Sequence, residues 1–353
     1  MKEHRLRRLV LMAGAISIIS LLAAACGGGD DSDNEATQTG SPSASEPVDT
    51  GEPTGEFSGV VITQDVSTGP NRFAVGVIDE NGVVLNANVS LNFLKLTSAN
   101  QGQARFQSET EYFELERFII NDETGEKVTS GATGAYVAEA DFDEVGDWAV
   151  QITGSTESGD AFGPINLPFT VADPADVLNV GDPAPRSRQT LASDVADIRE
   201  IDTQTPSDPM HDLAIADAVT SGKPTVILFG TPSFCDTLVC GPVMSAVMLP
   251  LYDQYKQQAN FIHVEPYFLE TMRNGNGLCA VPAFNLDFAR TGVPEGPGPC
   301  PSLTEEELAA VGESWSLNTE PIIFVVDSQG NIAGKFEAVV GPEEVERLLT
   351  ELT

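Results

Sequence analysis

The chain predicts two folded bodies in series, an all-β sandwich followed by an α/β domain, and three observations carry that expectation. From Phe57 to Asp173 apolar and polar residues alternate with period two between turn-forming clusters. From Asn179 onward short continuous apolar runs alternate with helical periodicity. The 353 residues, less a low-complexity start, suit two domains by length.

Lys2, Arg5, Arg7 and Arg8 precede an uncharged run from Leu9 to Ala25, and Cys26 follows. Basic, apolar and small residues in that order make 1–25 a secretion signal; the apolar run is too short for a membrane span. "LLAAAC" resembles a bacterial lipobox, with Ala23 where leucine is commoner. The resemblance implies that Cys26 is lipidated and anchors the protein to the extracytoplasmic face of a bacterial cell membrane. Residues 26–56, rich in Gly, Ser and acidic side chains, cannot bury enough apolar surface to order themselves and read as a disordered tether. A coil of that kind reaches on the order of 30 Å.

The formal net charge of −35 excludes a nucleic-acid partner, because neutralising phosphates requires a basic face. The acidity is read as solubility and repulsion from anionic lipid. With Cys26 lipidated, Cys235, Cys240, Cys279 and Cys300 remain in a compartment that tolerates disulfides. Three pairings are possible. Pairing sequence neighbours is the economical choice, and the chain-entropy model gives about 2 kcal/mol for Cys235–Cys240 and about 3.4 kcal/mol for Cys279–Cys300. The longer loop makes Cys279–Cys300 the structural staple; the short bridge needs another reason to exist.

Within 57–173, "NANVSLNF" places Ala87, Val89, Leu91 and Phe93 on one face, and "DWAVQITG" places Trp148, Val150 and Ile152 likewise. Turns are expected at "DENG" (79–82), "NDETGE" (121–126) and "STESGD" (155–160). About seven short strands imply an antiparallel sandwich. The stretches "NRFAVGVIDENG" and "AYVAEADFDEVGDWAVQIT" resemble the immunoglobulin-like extracytoplasmic domains of the YtkA or FixH type. This segment contains no histidine and no catalytic spacing, so it reads as a spacer or docking module with Trp148 in its core.

In 179–353 the signals run in order: "HDLAIADAVTSGKP" as a helix closed by Gly222, "TVILFG" as a buried strand, "GPVMSAVMLPLYDQYKQQ" as a helix and "NFIHVEP" as a strand. An insertion of about 267–303, rich in Gly and Pro, carries Cys279 and Cys300. "PIIFVVDSQGNIAGKFEAVVGPEEVERLLTEL" then gives strand, turn, strand and terminal helix. "NVGDPAPRS" (179–187), "CGPV" (240–243) and "TEPIIFVVD" (319–327) resemble the thioredoxin-like superfamily, with Val243 where its second active-site cysteine stands. The resemblance implies a thioredoxin-like fold and a cis-proline at Pro321. It also implies a substrate-binding edge formed by Phe234, Gly241, Pro242 and Glu320.

Cys240, at the start of its helix, faces unpaired N–H groups that favour a thiolate. Together these features predict a membrane-anchored thiol-disulfide oxidoreductase acting on protein thiols or disulfides, with Cys240 attacking, Cys235 resolving and Pro321 completing the site. No cofactor is implied and no metal ligand set is assigned. Three alternatives stand beside this expectation. "TLVC" partly matches the peroxiredoxin Thr-x-x-Cys, giving a peroxidase. The Sco-type copper chaperones pair two close cysteines with a histidine, but here the spacing is four and no histidine follows His263. A non-catalytic thioredoxin-fold binding lipoprotein, with both disulfides structural, is the third.

Overall fold

The computed structural model describes residues 46–47, 56–121, 123–235, 237–275, 277–291 and 300–353. The expected signal segment, Cys26 and the expected tether apart from 46–47 and 56 lie outside them, as do 292–299 of the insertion. Among the described residues no helix is long and apolar enough to cross a membrane.

The first half is built from β1 (Glu46–Pro47), β2 (Ser58–Val61), β3 (Gly69–Asp79), β4 (Gly82–Val83) and β5 (Asn88–Ser98), then β6 (Gln101–Glu109), β7 (Glu111–Ile120), β8 (Lys127–Phe142), β9 (Gly146–Ser155) and β10 (Ala161–Val171). They form two antiparallel sheets, β1-β6-β5-β9-β10 and β2-β3-β8-β7, with β4 on the end of β3. Strand pairing thus reaches back into the expected tether, where Glu46 and Pro47 lie opposite Gly102 and Gln101. Between the sheets Phe73, Phe93, Phe142 and Trp148 are fully buried in mutual edge-on and tilted contacts. Val89, Leu91 and Phe93 point inward while Asn88 is exposed, as the alternation required.

The second half carries a four-stranded mixed sheet of β11 (Thr225–Phe229), β12 (Asn260–Val264), β13 (Ile322–Val326) and β14 (Ile332–Glu337), in the order β12-β11-β13-β14. β11 and β12 run parallel, so a crossover must join them; β13 is antiparallel to both β11 and β14. Both faces of this sheet are covered. Val226, Leu228, Ile323 and Val325 enter one core, and Ile227, Phe229, Phe324 and Val326 enter another. Coverage on both faces is why β11 and β13 read as unbroken apolar runs.

The crossover is one helical run: Cys240–Pro242, a π-helical turn over Val243–Met248, and Leu249–Tyr255. Pro250 lacks an N–H and its ring crowds the carbonyl four residues back, so the preceding turn widens and the Leu249 N–H reaches Met244 instead. The segment at 211–224 is less helical than its sequence suggests. Only Ile215–Ala218 is α-helix, because His211 is drawn into a side-chain cluster with Asp208 before the helix can start. Gly222 still ends the segment with φ of 79°.

The two halves share a core. Ala74, Phe113, Leu115, Ala135 and Val137 of β3, β7 and β8 pack with Val226, Leu228, Val243, Met244 and Val345. The centre of the sheet β2-β3-β8-β7, around 73–77 and 134–138, is therefore buried on both faces, with alanines at 74 and 135 admitting the close approach of the second half. Polar ties reinforce it. Arg72 Nε and Nη2 donate to the two Glu344 carboxylate oxygens at 2.8 and 2.9 Å, and Nη2 also donates to Val339 O at 2.8 Å. Both side chains are about nine-tenths buried. Arg72→Ala leaves the Glu344 carboxylate without its counter-charge, and urea unfolding is expected to show a loss of about 3 kcal/mol.

Candidate functional site

Four residues separate Cys235 from Cys240, yet their α-carbons lie 6.0 Å apart and the sulfurs are bonded. The loop closes because Leu238 takes a left-handed conformation, φ 61°, and its N–H donates to Cys235 O at 3.0 Å. Such a backbone is unfavourable for leucine by about 1–2 kcal/mol, so the neighbouring contacts must hold it. One is evident: Leu238 O accepts from the Phe118 N–H at 3.1 Å, a bond from the end of β7 to the middle of the cysteine loop.

Cys240 stands at the first position of its helical run, and Cys235 on the loop before it. The sulfur of Cys235 lies 3.1 Å from Thr237 Oγ1, so the threonine of "TLVC" serves Cys235, not Cys240. Cys240 Sγ lies 3.8 Å from Glu320 Oε2. The Glu320–Pro321 peptide is cis and leads directly into β13, which pairs with β11 beneath the cysteine loop. The fold thus brings Cys235, Cys240, Glu320 and Pro321 together, with Phe234 half-buried beside them.

The carboxyl group of Glu320 is enclosed by protein although the residue keeps some surface. Loss of solvation raises its pKa from the ordinary 4.5 to about 8; the neighbouring Thr231 and His263 oppose the shift and the nearby Glu265 charge adds to it. Glu265, also buried, is raised by desolvation to about 7. Its Oε1 accepts from the N–H and hydroxyl of Thr203, whose backbone carbonyl takes the Ser233 hydroxyl. That chain ties the loop at 202–208 to the segment entering Cys235.

Gly241 and Pro242, expected on an open substrate edge, are buried. A side chain at Gly241 would meet the Phe118 ring at 3.0 Å, so glycine lets β7 sit this close without the ring having to shift. Cys240 has no exposed surface and Cys235 only 3 %. The end of β7 therefore covers the helix start. Phe118→Ala is expected to speed reduction of this disulfide by glutathione at least about tenfold, since removing a buried phenyl weakens local packing by about 3 kcal/mol; an unchanged rate shows that β7 does not limit access.

Cys279 and Cys300 are also bonded, with α-carbons 5.4 Å apart. This bridge clips the insertion, where Leu269–Arg273 and Leu286–Thr291 are short helices. No family model, curated protein or solved structure matches the chain. Several site residues lay beyond sequence reasoning: Phe118, Thr231 and Glu265 carry no motif, and only the folded strands bring them near the cysteines.

Proposed function

We propose that the protein is an extracytoplasmic, lipid-anchored thiol-disulfide oxidoreductase, with a thioredoxin-like second half and an immunoglobulin-like sandwich covering its cysteine loop. One observation carries the reading: a disulfide seated at a helix start, with the Glu320 carboxyl 3.8 Å from Cys240. The strand order β12-β11-β13-β14 with a crossover helix after β11 supports the fold assignment.

In the reduced protein the Cys240 thiol gives its proton to the Glu320 carboxylate. The thiolate attacks one sulfur of a protein disulfide; that bond breaks and the departing thiolate takes up a proton. Cys235 then attacks the Cys240 sulfur of the mixed disulfide, releasing the second substrate thiol and closing Cys235–Cys240. Two electrons pass from the cysteine pair to the substrate, and an external dithiol returns the pair to its starting state. A carboxyl with a pKa of about 8 is well matched to a thiol whose ordinary value is about 8.5.

A second reading, in which this disulfide is structural, draws on the burial of both sulfurs under β7. Mixing the fully reduced chain with an oxidised model peptide separates the two. Exchange yields one peptide dithiol for each Cys235–Cys240 bond formed; a peptide that stays oxidised supports the structural role.

A further inference from the structure

We propose that Asp202, Asp208, His211 and His263 form a site for a divalent first-row metal ion of the zinc class, separate from the cysteine pair and independent of its redox chemistry. The four residues come from the loop at 202–211 and from β12, and one ligand atom of each lies within 4.8 Å of all the others. His211 Nε2 is 3.2 Å from Asp208 Oδ2 and 3.6 Å from Asp202 Oδ2, and His263 Nδ1 is 2.7 Å from Asp208 Oδ2. Ligands about 2.0–2.1 Å from a tetrahedral zinc are separated by roughly 3.3–3.5 Å, within the range spanned here.

The second ring nitrogen of His263 and the second oxygens of both aspartates are already held. His263 Nε2 donates to Gly230 O at 2.8 Å, which aims Nδ1 into the cluster. Asp208 Oδ1 accepts from the Met210 N–H, and Asp202 Oδ1 from the Gln204 N–H, so each carboxylate is fixed by one oxygen and presents the other. Asp202 Oδ2 also receives the Asp208 N–H at 3.0 Å, which orients it further.

A separate observation points to an occupant. Glu265 is 95 % buried, its Oε2 has no hydrogen-bond partner, and it lines the same cavity of about 340 Å³ as His211 and His263. Three buried carboxylates face two imidazoles here, and a buried acceptor left unpaired is costly unless a cation or its water meets it. The cavity supplies the entry path, because Arg188, Glu200 and Glu307 at its rim connect it to the surface. Two imidazoles with carboxylates and no thiolate select a borderline ion such as Zn²⁺ over copper(I) or calcium.

The test uses the oxidised full chain with its free thiols alkylated. After incubation with Zn²⁺ and gel filtration, one equivalent of zinc is expected to remain, and His211→Gln or Asp202→Asn is expected to weaken binding at least tenfold with the fold retained by circular dichroism. Co²⁺ in the unaltered chain gives visible bands of tetrahedral nitrogen and oxygen ligation without thiolate charge transfer, a readout that stands even where a variant fails to fold. No retained metal, retention unchanged in both folded variants, or a thiolate charge-transfer band overturns the site and leaves the cluster a closed hydrogen-bonded network.

Discussion

Cys235→Ser accumulates a mixed disulfide with an oxidised peptide, whereas Cys240→Ser forms none. The asymmetry follows from position. Cys240 begins a helical run, where unpaired N–H groups stabilise a thiolate, and it has the Glu320 carboxyl 3.8 Å away to take its proton. Cys235 lies on a loop and its nearest polar partner is the Thr237 hydroxyl. With serine at 235 the first attack proceeds and nothing resolves the intermediate, so mass spectrometry is expected to show the peptide bound through Cys240. The effect is all or none, and a peptide trapped instead through Cys235 in the Cys240→Ser variant reverses the assigned roles.

Glu320→Gln slows exchange by about a hundredfold near neutral pH, the lower range for losing a positioned acid-base group. It also changes the dependence of stability on pH. Burial raises the folded-state pKa of Glu320 above its ordinary 4.5 to about 8, so the folded state binds this proton more tightly than the unfolded chain. The contribution is complete below about 4.5 and is lost as pH rises toward about 8. Thermal melts are therefore expected to show little difference between the variant and the parent near pH 4, and a more stable variant at pH 8. The groups acting on Glu320 are Cys240, Thr231, Glu265 and His263, and none is altered by the substitution. Equal melting temperatures at both pH values contradict the burial of this carboxyl.

Much of the architecture was legible wherever side-chain periodicity meets a single covered face. Val89, Leu91 and Phe93 alternate, and they are buried as their spacing required. The unbroken runs at 225–229 and 322–326 are strands enclosed on both faces. Both disulfides join sequence neighbours, the economical choice among the three possible pairings. What the sequence did not disclose are contacts between distant segments. Ala74 and Ala135 look like ordinary strand residues, and only the folded sheet shows that their small size lets the second half pack against the sandwich. Phe118 reads as one more apolar residue of β7, yet it seats on Gly241 and ties down Leu238. Asp208 stands three residues before His211 and Glu265 two after His263, but nothing local joins these two groups, which lie far apart in the chain. The helix expected over 211–224 is shorter for the same reason, since helix propensity does not register the cluster that captures His211.

The redox reading rests on whether the Cys235–Cys240 bond exchanges under conditions that leave Cys279–Cys300 intact. Equilibrating the full chain in glutathione buffers of graded potential and quantifying each pair by differential alkylation measures this directly. Reversible reduction of Cys235–Cys240 is expected at a potential well above about −300 mV, with Cys279–Cys300 still oxidised. A Cys235–Cys240 potential below about −300 mV, or loss of both bridges together on unfolding, contradicts it and makes the bridge under β7 a structural one.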